Sequence, residues 1–242
     1  MRGEASVMAE KRQVRYSSNV EIAGELLELD GKTVLDVGCG EGRFTRILAA
    51  RAKYVTGIDI NQVSLDRAVA KTANTDARVT WRNGRAEDLP FIDASLDVVV
   101  FSNSLHHVAL DMMNNAIIEA CRVLKPGGLL YVMEPVAAGN YFEATRKVND
   151  ESEVREHAKA AINGAASRGF TPVTEVIYHA KRNFDSFEEF ADEQSRRSEK
   201  RRKIIDADRA VIREFFINAA RKNGGKLWFD QISRVNLFKK SA

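Results

Sequence analysis

Asp36, Gly38, Gly40 and Gly42 stand in the order Asp-x-Gly-x-Gly-x-Gly at the end of an apolar run, Thr33 to Val37, and Asp59 closes the next apolar run about twenty residues on. Glycines at a strand-to-helix turn let a ligand approach the backbone with no Cβ in the way. A dinucleotide loop spaces them G-x-G-x-x-G and turns a helix N-terminus toward a pyrophosphate. Here the spacing is G-x-G-x-G, and a carboxylate stands two residues before the first glycine. That charge would repel a pyrophosphate and suits an ammonium.

Asp59 falls where an acid accepts hydrogen bonds from ribose hydroxyls. Ammonium plus ribose, without phosphate, is the profile of S-adenosylmethionine. A second group of residues could do proton chemistry: His106 and His107 follow the fourth apolar run, and Glu134 ends the fifth. Histidine acts as a base near neutral pH with little tuning. If a hydroxyl or acidic carbon accepts a methyl group, such a base takes its proton. Packing of His106, a helix-start role for His107 and loop anchoring by Glu134 are the alternatives.

These residues need a frame. Val20 to Leu27 has helical spacing and stops at Asp30-Gly31. Thr33 to Val37, Tyr54 to Ile58, Val79 to Trp81, Leu96 to Phe101 and Leu129 to Met133 read as five strands, with helices between them. The last of those helices, Met112 to Leu124, breaks at Lys125-Pro126-Gly127-Gly128. Strands alternating with helices imply βαβ crossovers, hence an α/β fold with a doubly wound, mostly parallel sheet. Ligands then sit at the carboxyl edge, where all the candidate residues fall.

After Pro135 the pattern changes. Residues 140–168 read as a helical insertion, Val173 to Ala180 as a strand, Phe184 to Glu193 and Ile204 to Lys222 as helices, and Lys226 to Phe238 as one or two strands. The organisation expected is a flexible segment over 1–19, its first dozen residues disordered, then a single domain over 20–242 with an insertion at about 140–170.

The 242 residues carry a net charge of only +3, which gives no global field toward nucleic acid or membrane. Two cysteines, Cys39 and Cys121, make no disulfide framework, and no Cys/His cluster has metal-ligand spacing, so no metal is expected. No apolar run could act as a signal or span, so the cytoplasm is the expected location.

Four blocks occur in order: Val34 to Gly42, Gly57 to Ile60, Gly84 to Phe91, and Leu96 to Pro135 with its Ser104-Leu105-His106-His107-Val108 and Arg122-to-Gly128 stretches. Together they resemble the class I S-adenosylmethionine-dependent methyltransferases, in the branch of the ubiquinone/menaquinone and small-molecule enzymes. The resemblance covers roughly residues 20–135. It implies a seven-stranded Rossmann-like methyltransferase fold and S-adenosyl-L-methionine as cofactor. By the same resemblance, Asp36, Gly38 and Gly40 would hold the methionine end. Asp59 would bind the ribose, Ile60 would pack on adenine, and Ala86 would offer its backbone to the adenine edge. Ser102 and Asn103 would lie along the methionine and the sulfonium. The family often has Asp where this chain has Arg85, which cannot accept a hydrogen bond. Glu87 or a backbone carbonyl is left to accept from the adenine amino group.

The expected reaction is methyl transfer to an O, N or C atom of a small-molecule acceptor. Tyr141, Phe142, Arg146 and Arg155 of the insertion could line the acceptor pocket, the arginines gripping an acidic substrate or simply pairing with Glu143, Glu151 or Glu153 on a solvated face. Arg15 and Tyr16 could close over the cofactor. The run Arg196 to Lys203 raises an RNA or other nucleic-acid acceptor, but the chain lacks the Asn/Asp-Pro-Pro-aromatic and Pro-Cys signatures of base methylation. A non-catalytic S-adenosylmethionine-binding protein is the third reading.

Overall fold

The computed structural model describes residues 14–72 and 78–242. The expected disorder of the first dozen residues lies outside them. Five strands, β1 (Thr33–Val37), β2 (Tyr54–Asp59), β3 (Val79–Asn83), β4 (Leu96–Ser102) and β5 (Leu124–Pro135), pair in parallel. β6 (Phe170–Phe184) and β8 (Lys226–Lys240) complete the order β3-β2-β1-β4-β5-β8-β6, with β8 antiparallel to both neighbours. The expected seven strands gain an eighth, the short β7 (Arg221–Asn223), which pairs with β8 at the Gly224-Gly225 turn.

The chain steps outward from β1 to β3, then returns to lay β4 on the other side of β1. Ligands bind at such a topological switch point, outside the carboxyl ends of the strands. Two loops meet there: the glycine loop after β1 and the Asn103–Val108 segment after β4, which contains a 3-10 turn at Leu105–His107.

Alternation along β4 divides the core. Val99 and Phe101 face one cluster with α4 (Met113–Val123), while Val98 and Val100 face another with α1 (Asn19–Leu26) and α2 (Arg43–Ala49). α3 (Gln62–Thr72) completes the crossovers of the parallel half. The insertion is not one unit. Its longer helix, α6 (Ser152–Asn163), puts Ala158, Ala161 and Ile162 into the sheet core beside α4 and serves as a crossover helix. Its shorter helix, α5 (Asn140–Thr145), joins α7 (Phe187–Arg197), α8 (Glu199–Ala207) and α9 (Arg209–Ala219) around a separate aromatic cluster. Phe216 is central there, with ring centroids 4.4 Å from Phe190 and 4.8 Å from Phe229. This second core caps the carboxyl edge beyond β5.

The N-terminal boundary also differs from the sequence reading. Tyr16 pairs with His179 of β6, its hydroxyl donates to Asp230 (3.2 Å), and Arg15 pairs with Glu25. Residues 14–18 thus follow β6 because backbone pairing is available there, and Arg15 and Tyr16 do not close over the glycine loop. Ser18 caps α1 through a reciprocal capping box with Glu21. No helix among the described residues is long and apolar enough to cross a membrane.

Candidate functional site

The glycine loop turns back on β2, where the Gly38 and Cys39 N–H groups both donate to the Ile58 carbonyl (2.8 and 2.9 Å). Gly38 has φ +72°, and a Cβ there would stand 2.6 Å from the Ser104 Cβ. Only glycine lets the two switch-point loops approach this closely. Asp59 ties the loop to the end of β2. Its Oδ2 accepts from the Gly40 N–H and its Oδ1 from the Asn61 N–H, both at 2.8 Å. Each oxygen keeps a lone pair for a further donor.

A cleft of about 220 Å³ opens between these loops. Of the expected cofactor residues, Gly38, Asp59, Ile60, Ala86 and Glu87 line it, together with Phe101, Ser104, His107 and Val108. Ile60 is an apolar side chain left 65% exposed at its mouth. Arg85 is exposed and donates to Glu87 (2.7 Å), so Glu87 offers a carboxylate at the position where Arg85 cannot accept.

Four of the expected residues do not line this cleft. Asp36 is buried behind the loop, where its Oδ2 accepts from the Thr45 hydroxyl of α2 (2.6 Å). Burial pushes its carboxyl up to about 6. Asp36 therefore stands behind the glycine loop rather than in the cleft wall. Gly40 is likewise set back from the wall and bonds Asp59. Ser102 is engaged by the Asn19 side-chain amide (2.9 Å), which also takes the Tyr131 hydroxyl (2.6 Å), and Ser104 stands on the cleft wall in its place. The Ser104 hydroxyl donates to the Val37 carbonyl (2.6 Å) and so joins β4 to β1. Asn103 takes φ +60°, a left-handed turn that Asn tolerates better than most residues, and faces a different cavity.

That second cavity, about 300 Å³ and mostly polar, lies between the sheet edge and the aromatic cap. His107 lines both spaces and so marks where they meet. His106 and Met133 also line it from the sheet side. Glu134 is buried and fully engaged: Oε1 accepts from the backbone N–H groups of Leu105 (2.8 Å) and Ser104 (3.2 Å), and Oε2 bonds His106 Nδ1. Glu134 therefore positions His106 and the turn after β4. In the neutral ring, an Nδ1–H given to Glu134 leaves the lone pair on Nε2. His107 lies 4.0 Å from His106 between ring centroids, and burial and then the neighbouring ring hold its pKa below the usual histidine value.

The cap supplies the other wall. Tyr141 and Arg155 line the cavity, as anticipated, but Phe142 lies beneath the Arg155 guanidinium (5.4 Å), and Arg146 is exposed and paired with Glu143. Arg182, which no local pattern singled out, and Arg197 and Arg201 of the basic run complete the wall. The basic run is thus divided: Arg197 and Arg201 face the cavity, while Arg202 and Lys203 pair with Glu199 on the outside. The fold also brings the donor atoms of His106, His107 and Glu151 within 4.8 Å of one another, a juxtaposition that sequence spacing does not show. Glu151 is already bonded to Asn149 (2.6 Å) and Arg155 (2.5 Å), and these arginines oppose a cation there.

The first cleft fits an adenosyl amino acid. It has an apolar rim at Ile60 for a base, a carboxylate with free lone pairs at Asp59 for ribose hydroxyls, and a glycine turn over a buried negative charge for an amino group. The comparisons agree. The model of the methyltransferase domain matches residues 35–132. A 27-O-demethylrifamycin SV methyltransferase of Amycolatopsis mediterranei is 38% identical over 148 residues, 58% of this chain and 51% of that protein. The chain thus spans about half the length of the curated relatives it matches. Among solved structures, a candidate methyltransferase from Bacillus halodurans C-125 superposes with TM-score 0.68 at 22% identity, covering 93% of this chain and 100% of that one. The [4+2]-cyclase SpnF superposes with TM-score 0.63 at 23% identity, covering 92% of this chain and 80% of that one. These two likenesses show the shared fold.

Proposed function

We propose that this chain, which carries a class I S-adenosylmethionine-dependent methyltransferase domain, methylates a hydroxyl oxygen of a small molecule. The observation that carries the reading is that His106, held by Glu134, lines a polar cavity that meets the cofactor cleft at His107. When bound, S-adenosylmethionine supplies an electrophilic methyl group on a positively charged sulfur. The protein's part is alignment, exclusion of water and removal of one proton. Asp59 and the glycine loop fix the donor, and the cap encloses the acceptor. Glu134 holds His106 with Nε2 free, and Nε2 takes the acceptor hydroxyl proton as oxygen turns nucleophilic. His107, kept neutral by burial, fills the wall between the two ligands without adding a positive charge.

A built acceptor cavity beside the cleft argues against a purely non-catalytic binder. The division of the basic run removes the continuous patch that nucleic acid requires. Fold alone would not separate methyl transfer from another reaction, as the SpnF likeness illustrates. The test is incubation with labelled S-adenosylmethionine and low-mass cell extracts, followed by His106→Gln. Label should enter a small product on oxygen, and turnover should fall about 10²–10⁴-fold in the variant with S-adenosylhomocysteine affinity retained. Label on nitrogen or carbon, or unchanged turnover in the variant, would refute the reading.

A further inference from the structure

We propose that the cavity under the cap selects an acceptor bearing an anionic group, a carboxylate or a phosphate, and that Arg155, Arg182, Arg197 and Arg201 grip that group. This rests on the reading that the adjoining cleft holds the methyl donor. Four arginines reach one cavity from four elements: α6, β6, α7 and α8. Their carboxylate partners are two, Glu151 and Glu193. Arg155 pairs with Glu151 (2.5 Å), while Arg182 (2.9 Å) and Arg197 (2.8 Å) share Glu193. Arg201 donates to the neutral Gln194 (2.8 Å) and stands 3.7 Å from Glu151. Four guanidiniums against two carboxylates leave two positive charges without a counter-ion among these groups. A purely structural network would be expected to match its charges, because an unpaired charge beneath a cap is costly.

The donors are also poised. Arg155 Nε is buried with no hydrogen-bond partner. The Nη1 groups of Arg182 and Arg197 have none among the described residues, since each arginine meets Glu193 through Nη2. Arg182 lies over the Tyr141 ring (4.7 Å) and Arg155 over Phe142 (5.4 Å). Stacking and ion pairing hold the planar forks before a ligand arrives, which lowers the entropy lost on binding. Burial and the charge of Arg197 press the Arg201 pKa downward, as expected where positive charge is in excess. The same excess disfavours a divalent cation at His106, His107 and Glu151. It also orients the acceptor: with the anion held by the cap, the opposite end of the molecule lies toward His106 and the cleft.

Calorimetric titrations of the full chain, with and without saturating S-adenosylhomocysteine, would use 4-hydroxybenzoate, phenyl phosphate and neutral 4-hydroxybenzamide as probes. At least one anion should bind ten-fold or more tightly than the amide, and the stronger of the two identifies the group. Loss of one charged hydrogen bond in Arg182→Gln or Arg197→Gln should weaken that anion about ten- to hundred-fold, with Arg202→Gln as the unaffected surface control. Arg197→Lys, which keeps the charge and loses the fork, should fall between. Equal affinity for anion and amide, no binding of any probe, or insensitivity to both arginine variants in folded protein would overturn the proposal. If S-adenosylhomocysteine fails to bind while the anion preference persists, the donor reading fails and the anion site stands.

Discussion

Replacing Glu134 by Gln tests how the site keeps its base. Glu134 Oε1 is held by the backbone N–H groups of Leu105 and Ser104, and Oε2 meets His106 Nδ1. Gln has one acceptor oxygen, which the two backbone donors retain, so its NH₂ must replace Oε2. That amide donates, and a ring nitrogen facing it must be the one with the lone pair. The proton therefore moves to Nε2, and the base is removed from the cavity side without changing shape. All three bonds persist, neutral in place of charge-assisted, and because a buried amide is cheaper to desolvate than a carboxylate the net loss is about 1–2 kcal/mol. Urea unfolding should register that small loss. Turnover should fall about 10²–10⁴-fold, with S-adenosylhomocysteine affinity held. The assay that reads the cause is heteronuclear NMR of ¹⁵N-histidine-labelled protein, which reports which ring nitrogen carries the proton. His106 should be protonated on Nδ1 in the wild type and on Nε2 in Glu134→Gln. A wild-type ring already protonated on Nε2, or one that does not change in the variant, would refute the reasoning.

Asp36 is buried with its carboxyl raised to about 6, so its contribution to the stability of the free protein is present at acid pH and lost as pH rises through about 6. Asp36→Asn should accordingly stabilise the ligand-free protein by about 1–3 kcal/mol at pH 8 and by little at pH 4, while weakening S-adenosylhomocysteine binding at pH 8. Urea melts at the two pH values check the first part, and an equal effect at both would contradict it. Phe216→Ala should cost about 3–5 kcal/mol in urea unfolding, because the ring is fully buried at the centre of the cap. A cost below about 1 kcal/mol would mean that the cap does not depend on this aromatic cluster.

The sequence resolves the parallel half of the fold better than the rest, for a physical reason. β1 and β4 are buried on both faces and read as near-continuous apolar runs. β5 begins at Leu124, five residues before the apolar run, because Lys125-Pro126-Gly127-Gly128 ends the helix and enters the strand at once. β6 is an edge strand whose residues alternate between exposed and half-buried, so only its centre looks like a strand. The expected helix from Ile204 to Lys222 is instead α8 and α9, parted at Asp208, with its last residues drawn into β7 by pairing with β8.

The site divides similarly. Asp59 is singled out by local spacing because it sits at a strand end, whereas Ile60 and Ala86 enter only through the family resemblance. Asp36 is found too, but nothing local tells that it lies behind the loop. Arg182, Arg197 and Arg201 are separated by a strand end and two helices, and each has an acid or amide within reach that makes it look like surface. Only the convergence of β6, α7 and α8 under the aromatic cluster makes them a wall. Ser104 supplanted Ser102 because alternation along β4 turns Ser102 toward Asn19.

The central claim is that the cleft at the β1–β4 switch point holds S-adenosylmethionine. The most direct measurement is calorimetric titration of the purified full chain with S-adenosylmethionine and S-adenosylhomocysteine, repeated with Asp59→Ala. The account predicts one micromolar site for both ligands in the wild type, weakened in the variant by about 1.5–3 kcal/mol for each charged hydrogen bond lost. Absence of binding by either ligand, or affinity unchanged in Asp59→Ala, would contradict it.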